Sequence, residues 1–237
     1  MRWQPVVRLV LRLGVAICAA SIPVAMVSTV VLGLFYDSSF YRSGQIRYQV
    51  AYYSGLSQDQ INRIDDGIVR FFSTTESLPA SVVAAGGPAD VFNEREVLHM
   101  NDVRSVIWVF GKFQIASLLA IGLFALLGAI TWSRGGRSAI ARGLIYSSIV
   151  TIVIGVAAVG LTLVGFDTLF ITFHELVFHN DFWQLDPRTD HLVQIFPFEF
   201  WYDAMLAVAL RVVLVTVVLG GVGFTLGRVG RVPSMQR

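Results

Sequence analysis

Residues 113–133 read FQIASLLAIGLFALLGAITWS, a run of 21 residues with no charge between Lys112 and Arg134. About 20 apolar residues in an α-helix, rising 1.5 Å each, cross the roughly 30 Å hydrocarbon core of a membrane. This stretch therefore predicts a transmembrane helix, and it decides the fold class.

Three further segments have the same character. Residues 13–36 and 143–166 contain no charge, and residues 204–227 contain a single charge, on Arg211. We therefore predict an all-α membrane protein with four transmembrane helices. Their predicted bounds are 13–36, 107–133, 143–166 and 204–227.

The composition excludes several classes of protein. Only 14% of the 237 residues are charged and 55% are hydrophobic, whereas a soluble domain carries about 25% charged residues. The chain is therefore neither disordered nor an ordinary soluble enzyme. Because Cys18 is the one cysteine, an internal disulfide, a cysteine zinc cluster and a CxxC redox pair are excluded. We expect no cofactor, no bound metal and no nucleic-acid partner.

The distribution of charges predicts the orientation in the membrane. All 16 acidic residues fall within 37–102 and 167–203, whereas nine arginines flank the apolar segments with no acid among them. These arginines are Arg2, Arg8, Arg12, Arg134, Arg137, Arg142, Arg228, Arg231 and Arg237. The positive-inside rule places them in the cytoplasm. We predict one domain over 1–237, with both termini cytoplasmic and an extracellular cap formed by residues 37–106 and 167–203.

The first outer segment contains an amphipathic helix. Ser57 and Gln60 have the spacing of a capping box, and four apolar residues follow at helical spacing. They are Ile61, Ile64, Ile68 and Phe71. The helix either packs within the cap or lies on the membrane surface.

Three other parts of this segment carry predictions of local structure. Ile46–Tyr53 is rich in Tyr and Val, which favours an extended strand. Ala84–Pro88 contains two glycines and a proline, which indicates a flexible break. Asn93–Val106 is predicted to be helical and to continue into the second transmembrane helix.

The second outer segment is unusually aromatic. Residues 166–203 contain eight Phe, Trp183, Trp201 and Tyr202, together with seven acids and three of the four histidines. An aromatic belt at the membrane interface accounts for the Trp and Tyr residues. So many Phe residues beside polar groups indicate an apolar pocket that holds a few polar side chains.

All four histidines lie outside the predicted transmembrane spans, which argues against a proton relay through the bilayer. Glu96 and Asp102 lie three residues either side of His99, so each shares its helix face and either carboxylate is placed to orient the imidazole. His174 and His179 resemble a zinc-binding HExxH motif, but they are five residues apart rather than four. Phe178 therefore takes the ligand position, and His179 points elsewhere.

Three groups of residues together resemble the Lit family of lipoprotein intramolecular transacylases and related four-helix membrane proteins of uncharacterised function. The first group is Asn93–Val103, which contains His99, Met100 and Asp102. The second runs from Phe173 and His174 through Asn180 and Trp183 to Asp190. The third is Phe196–Pro197, with Phe200 and Asp203.

The resemblance implies four membrane helices with an extracellular cap, in a bacterial cytoplasmic membrane. It implies an acyltransferase acting on a diacylglyceryl-cysteine lipoprotein, or another membrane lipid substrate. The sn-2 acyl chain moves from the glyceryl oxygen to the cysteine α-amine. The family's two catalytic histidines correspond to His99 and His174. Imidazoles, with an ordinary pKa of about 6.5, suit the proton transfers that this reaction needs.

Further residues are candidates for binding or orienting the substrate. Asn180, Trp183 and Arg104 are candidate donors to the oxyanion of a tetrahedral intermediate. Arg211 either lines the pocket and binds the ester or oxyanion, or extends towards an outer carboxylate or lipid phosphate. The sequence does not decide which histidine is the base.

Two alternative functions use the same residues differently. A non-enzymatic membrane subunit would bind partners through the aromatic outer segment. A metal-dependent hydrolase would bring outer histidines together with Asp181 or Asp186, so that at least three ligands converge. The enzyme hypothesis instead requires His99 and His174 to approach each other.

Overall fold

A computed structural model describes residues 4–78 and 91–228. Within these residues the chain forms eight α-helices, one short 3-10 turn at Trp132–Arg134 and no strand, which confirms the all-α class. The helices are α1 (Gln4–Phe35), α2 (Ser38–Arg47), α3 (Val50–Ser54), α4 (Gln58–Ser73), α5 (Glu94–Ile130), α6 (Gly136–Val177), α7 (His191–Ile195) and α8 (Phe198–Arg228). The break predicted at Ala84–Pro88 lies outside the described residues, as do Arg2, Arg231 and Arg237.

Four helices are long and apolar enough to cross a membrane: α1, α5, α6 and α8. Each has an 18-residue window with a mean hydropathy between 2.2 and 2.5. Helices of 31 to 42 residues exceed the length of about 20 residues that the hydrocarbon core requires. The protein is therefore a multi-pass membrane protein, and the bounds of each transmembrane segment stay predictions.

The chain divides into two compact units. Within the described residues, the first comprises 4–30, 111–160 and 208–228, and we call it the apolar unit. The second comprises 31–78, 91–110 and 161–207, and we call it the histidine unit because all four histidines belong to it.

Small residues allow close helix packing in the apolar unit. A Cβ atom added to Gly14 on α1 would lie 2.6 Å from Phe124 Cδ2 on α5, so this glycine makes room for the ring. Ser148 Oγ on α6 also donates to the carbonyl of Thr216 on α8, at 3.3 Å. Close backbone approach at small residues and hydroxyl bonds between helices are common devices of helix association in membranes.

The core of the histidine unit contains the predicted amphipathic helix. Ser57 Oγ accepts from the Gln60 amide at 3.3 Å, and Gln60 Oε1 accepts from the Ser57 amide at 2.9 Å, so the capping box is confirmed. The apolar stripe of α4 is at most 1% exposed and packs in the core of this unit. The helix therefore packs within the protein.

The extended strand predicted over Ile46–Tyr53 is wrong. Helix α2 continues to Arg47, Gln49 adopts a left-handed conformation with φ 53°, and α3 begins at Val50. The buried side chains in this region are Tyr41, Gln45, Val50 and Ser54. Their spacing of four or five residues is that of helices, not the alternation of a half-buried strand. By contrast, the helix predicted over Asn93–Val106 is confirmed, because α5 begins at Glu94 and continues to Ile130.

Candidate active site

The first turn of α5 is fixed by a buried carboxylate. Glu96 Oε2 accepts from the Asn93 amide at 2.7 Å, and Asn93 Oδ1 accepts from the Glu96 amide at 3.0 Å, which is a reciprocal N-terminal cap. Glu96 Oε1 accepts from the Leu192 amide on α7 at 2.6 Å. The Asn93 side chain also donates to Asp190 Oδ1 at 3.0 Å. The second outer segment is thereby attached to the beginning of α5.

His99 lies one turn further along α5. Its side chain is buried, and its Nδ1 atom has no hydrogen-bond partner among the described residues. Asp102 follows three residues later, and its Oδ2 atom accepts from Asn180 Nδ2 at 2.9 Å. A buried polar atom without a partner is unusual in a folded protein. The Nδ1 atom of His99 therefore has a hydrogen-bonding capacity that the described residues do not use.

His174 lies in the last turn of α6, beyond a kink at Gly165, where the backbone leaves the helical region. Its Nδ1 atom is 2.7 Å from the backbone oxygen of Phe170. A carbonyl oxygen only accepts hydrogen bonds, so Nδ1 carries the proton of this contact. In the neutral ring, Nε2 then has the free lone pair and is the basic atom.

The two imidazoles lie together. Their ring centroids are 6.0 Å apart, with an interplanar angle of 37°. Phe178 contacts both, at centroid distances of 5.2 Å to His99 and 5.5 Å to His174. His99 and His174 therefore approach each other, as the enzyme hypothesis requires and the scaffold hypothesis does not.

Aromatic rings surround His174 on several sides. Phe170 lies 4.2 Å from it, Trp183 lies 5.1 Å from it and Phe173 lies 5.3 Å from it, measured between ring centroids. The Phe residues of the second outer segment therefore form an apolar surrounding for one imidazole. Such a surrounding orients the ring and limits the access of water.

Trp183 lies against His174 and Asn180 bonds to Asp102, whereas Arg104 packs elsewhere. Arg104 is five residues after His99, which is about 140° around a helix of 3.6 residues per turn. Its guanidinium lies over the ring of Phe71 at 4.1 Å and donates to the backbone oxygen of Glu76 at 2.7 Å. This arginine packs against the end of α4 instead of facing the imidazole.

Glu96 and Arg211 are also placed by the structure. Both oxygens of Glu96 accept from backbone amides, so this residue supports the local structure of the site. No hydrogen bond joins Glu96 to His99 among the described residues, so its predicted role in orienting that imidazole stays a prediction. Arg211 has an exposed side chain on α8 and belongs to the apolar unit. Both roles foreseen for Arg211 stay predictions.

The remaining histidines do not join a metal-binding group. His179 is exposed, whereas Phe178 is buried against the catalytic candidates, as the five-residue spacing predicted. No cluster of three or more His, Cys, Asp or Glu suited to a metal occurs in the described parts of the chain. The metal-hydrolase hypothesis therefore lacks the three converging ligands that it requires.

The sequence profile described as lipoprotein intramolecular transacylase Lit matches residues 16–201, well over half of the chain. The chain belongs to this family. An uncharacterised protein of Aquifex aeolicus (strain VF5) is 29% identical over 132 residues. That match covers 50% of this chain and 50% of that protein, so the chain spans about half the length of this curated relative.

Solved structures of Lit from Bacillus cereus have the same fold. One matches with a TM-score of 0.81 and 19% identity, covering 94% of this chain and 99% of that chain. A variant with one histidine replaced by arginine matches with a TM-score of 0.76 and 19% identity, covering 94% of each chain. At this level of identity the likeness establishes the shared fold of the family.

Two contributors to the site were given no role in the site from the sequence. Asp190 accepts from the Asn93 side chain and from the Asp186 amide. Phe170 contacts His174 through both its ring and its carbonyl. Phe170 lies four residues before His174 on the same helix face, a spacing that was available as a signal. The contact between Asn93 and Asp190 spans 97 residues, and local patterns carry no signal for it.

Proposed function

We propose that this protein is a membrane acyltransferase that moves the sn-2 acyl chain of a diacylglyceryl-cysteine lipoprotein to its N-terminal amine. The observation that carries the proposal is the pair of buried imidazoles, His99 and His174, with ring centroids 6.0 Å apart. Membership of the transacylase family supports the same reaction class.

The reaction is an isomerisation with balanced proton transfers. The α-ammonium loses a proton, and the amine nitrogen attacks the carbonyl carbon of the sn-2 ester. The bond from that carbon to the glyceryl oxygen then breaks, leaving an amide and a glyceryl hydroxyl. The nitrogen gives up two protons in total: one goes to the departing glyceryl oxygen and the other goes to solvent. No further reactant is needed.

We assign the base to His174. The carbonyl of Phe170 holds its Nδ1 proton at 2.7 Å, which leaves Nε2 free to take a proton from the amine. This arrangement is analogous to a catalytic histidine whose Nδ1 proton is held by a carboxylate, with a backbone carbonyl in the place of the acid.

We assign proton donation to His99. Its Nδ1 atom is buried and has no hydrogen-bond partner among the described residues, and we propose that it protonates the glyceryl oxygen as the ester bond breaks. Burial, and then His174, lower the pKa of His99 to about 4, and the negative charge of Asp102 on the same face of α5 opposes this only in part. His99 is therefore neutral before the reaction and donates a proton only after it has received one from the amine. A general acid of this kind typically contributes about 10²–10⁴-fold to a rate.

Asn180 is the candidate that we propose as oxyanion donor. A side-chain amide carries two N–H groups, and one of them donates to Asp102. The second is left for the tetrahedral oxyanion, where one positioned donor typically contributes about 10²–10³-fold. We propose Trp183 as an orienting residue, since its ring packs against His174 at an interplanar angle of 36°.

The aromatic surrounding suits an intramolecular transfer. Amine and ester belong to one molecule, so holding them in contact supplies much of the rate. Phe170, Phe173 and Phe178 pack around His174, and such rings limit the entry of water that would hydrolyse the ester. We propose that membrane lipids and the lipoprotein's acyl chains are the apolar partners of this segment.

The proposed orientation places the histidine unit outside a bacterial cytoplasmic membrane, with both termini in the cytoplasm. Its support is the nine arginines that flank the apolar segments without an acid among them. Reporter fusions at Thr75 and Gly136 test it: we expect an outside signal at Thr75 and an inside signal at Gly136. The opposite pair of signals would contradict the functional proposal, because the lipoprotein substrate is exported.

Mass spectrometry of lipoprotein N-termini tests the proposed reaction. Cells expressing the protein should contain lipoproteins with one acyl chain on the α-amine and one on the glyceryl group. Cells without the protein should lack that form. Variants His99→Gln and His174→Gln should abolish it, whereas His179→Gln, which changes an exposed histidine of the same segment, should leave it unchanged. Unaltered lipoproteins in expressing cells would refute the proposal.

A further inference from the structure

The apolar unit contains no carboxylate side chain. All 16 acidic residues of the chain fall within 37–102 and 167–203, outside the ranges 1–30, 111–160 and 208–237 that make up this unit. Its arginines stay charged at any physiological pH. No carboxylate of this unit can neutralise these arginines. Where an arginine has no protein partner, its counter-charge comes from another molecule.

Two of these arginines line one cavity. The cavity has a volume of about 340 Å³, and its lining residues come from two helices. Arg12, Val15 and Ala16 lie on α1, and Arg142 and Tyr146 lie on α6. Residues three or four apart share a helix face, so one face of each helix forms a wall. The site therefore combines two guanidinium groups and a phenol with an apolar surface.

The arginines of this cavity are available to a ligand. Both side chains are exposed. No ion pair or hydrogen bond joins either guanidinium to a protein group in the part of the chain that the structure describes. By contrast, Arg228 in the same unit lies over the ring of Phe224 at 4.2 Å.

The position of the cavity along the helices matches the level of lipid phosphates. Arg12 immediately precedes the predicted span 13–36, and Arg142 immediately precedes the predicted span 143–166. Tyr146 lies one turn further into the span, and tyrosine is enriched at the headgroup level of membranes. A cavity at this depth meets both the phosphate and the first part of the acyl chains of a phospholipid.

We propose that this cavity binds the headgroup of an anionic phospholipid. The phosphodiester lies between Arg12 and Arg142, whose forked donors match two phosphate oxygens each. The hydroxyl of Tyr146 donates to the same group, and the acyl chains follow Val15 and Ala16. Basic pockets between transmembrane helices are known sites for anionic lipid headgroups. The apolar wall favours a lipid over a free phosphate ion, and the inference does not depend on the proposed reaction.

Lipid titration of the purified full-length protein, followed by native mass spectrometry, tests this site. The probes are phosphatidylglycerol, the zwitterionic phosphatidylcholine and inorganic phosphate. The double variant Arg12→Gln/Arg142→Gln should weaken phosphatidylglycerol binding about 10- to 30-fold, since each basic residue near a membrane surface contributes about 1 kcal/mol. Tyr146→Phe should weaken it about threefold. Phosphatidylcholine should bind more weakly than phosphatidylglycerol.

The matched control is Arg137→Gln/Arg228→Gln, which removes the same charge from the same unit. It should change phosphatidylglycerol affinity by less than about twofold. Equal losses of phosphatidylglycerol affinity in the two double variants would show that diffuse surface charge binds the lipid, and would overturn the site. Unchanged affinity in Arg12→Gln/Arg142→Gln would also overturn it. Displacement of the lipid by an equal concentration of inorganic phosphate would also overturn it. If the first double variant does not fold, Arg142→Gln alone decides, with a loss of about fivefold expected.

Discussion

Asn180 Nδ2 donates a hydrogen bond of 2.9 Å to Asp102 Oδ2. Asp102 lies three residues after His99 on α5, and Asn180 lies six residues after His174, just beyond α6. The bond therefore joins the two segments that carry the imidazoles. It also fixes the direction of the Asn180 amide.

A double-mutant cycle should detect this link. We expect Asp102→Ala and Asn180→Ala each to slow acyl transfer, and the double variant to be little slower than either single variant. The coupling should be about 1–2 kcal/mol, typical of a hydrogen bond to a charged group. Turnover of a synthetic diacylated lipopeptide by the four purified proteins measures it. Strictly additive effects would show that the bond does not act in catalysis.

Glu96 should matter for stability. It accepts from two backbone amides that Glu96→Ala would leave unpaired in a buried position, so we expect a loss of about 2–4 kcal/mol in unfolding free energy. Glu94→Ala, on an exposed side chain of the same turn, should cost less than about 1 kcal/mol. Thermal unfolding in detergent compares them. A stable but inactive Glu96→Ala would indicate instead that the carboxylate acts on His99.

The contact between the rings of Trp183 and His174 predicts different effects for two substitutions. Trp183→Phe keeps an aromatic ring against the imidazole and should lower kcat by less than about fivefold. Trp183→Ala removes the ring and should lower kcat further, by up to about tenfold, since aromatic pairs contribute roughly 0.5–1.5 kcal/mol beyond burial. A loss of about 10²–10³-fold in Trp183→Phe would instead identify the indole N–H as an oxyanion donor.

Asp65 makes the stability of the histidine unit depend on pH. The residue is fully buried, and burial raises the pKa of its carboxyl from 3.8 to about 7. The hydrogen bond from Gln45 and the charge of Arg42 lower this pKa, and the charge of Asp66 raises it. Between pH 4 and pH 7 the unfolded chain loses this proton while the folded protein keeps it. The free energy of unfolding should therefore fall as pH rises through this window, and level off above pH 7.

Asp65→Asn should remove that decline. The pKa difference corresponds to at most about 4 kcal/mol, so the variant should be more stable than the wild type at pH 8 and similar to it at pH 4. Gln45 donates to Asp65 Oδ1 at 2.8 Å, and an Asn oxygen can accept the same bond. Asp66→Asn, at the exposed ion pair with Arg42, is the control and should change stability by less than about 1 kcal/mol. Equal pH profiles for wild type and Asp65→Asn would contradict the raised pKa.

The sequence was sufficient to predict the four long apolar helices and the proximity of His99 and His174. Runs without charge marked the long apolar helices because a bilayer admits few charged side chains, and the stripe of α4 has a helical period that its burial follows. His99 and His174 were singled out by their motifs, and their catalytic role stays a prediction. The failure of the HExxH spacing also correctly predicted that Phe178, not His179, would face the site.

The partners of the polar groups could not be predicted in the same way. Glu96 and Asp102 have equal spacing from His99, yet one accepts from Leu192, 96 residues away, and the other from Asn180, 78 residues away. Local periodicity places both carboxylates on one helix face, but only the tertiary fold selects their donors. At Ile46–Tyr53, composition favoured a strand, and packing of Tyr41 and Val50 into the core selected two short helices.

The most direct test of the central claim follows acyl transfer by the purified protein. The substrate is a lipopeptide with a diacylglyceryl cysteine whose sn-1 and sn-2 chains differ in mass. We predict that the wild type moves only the sn-2 chain to the α-amine. We also predict that His99→Gln and His174→Gln, each folded, are at least about 10²-fold slower, while His179→Gln keeps the wild-type rate. Transfer within tenfold of wild type in either variant, or no transfer by the wild type, would contradict the account.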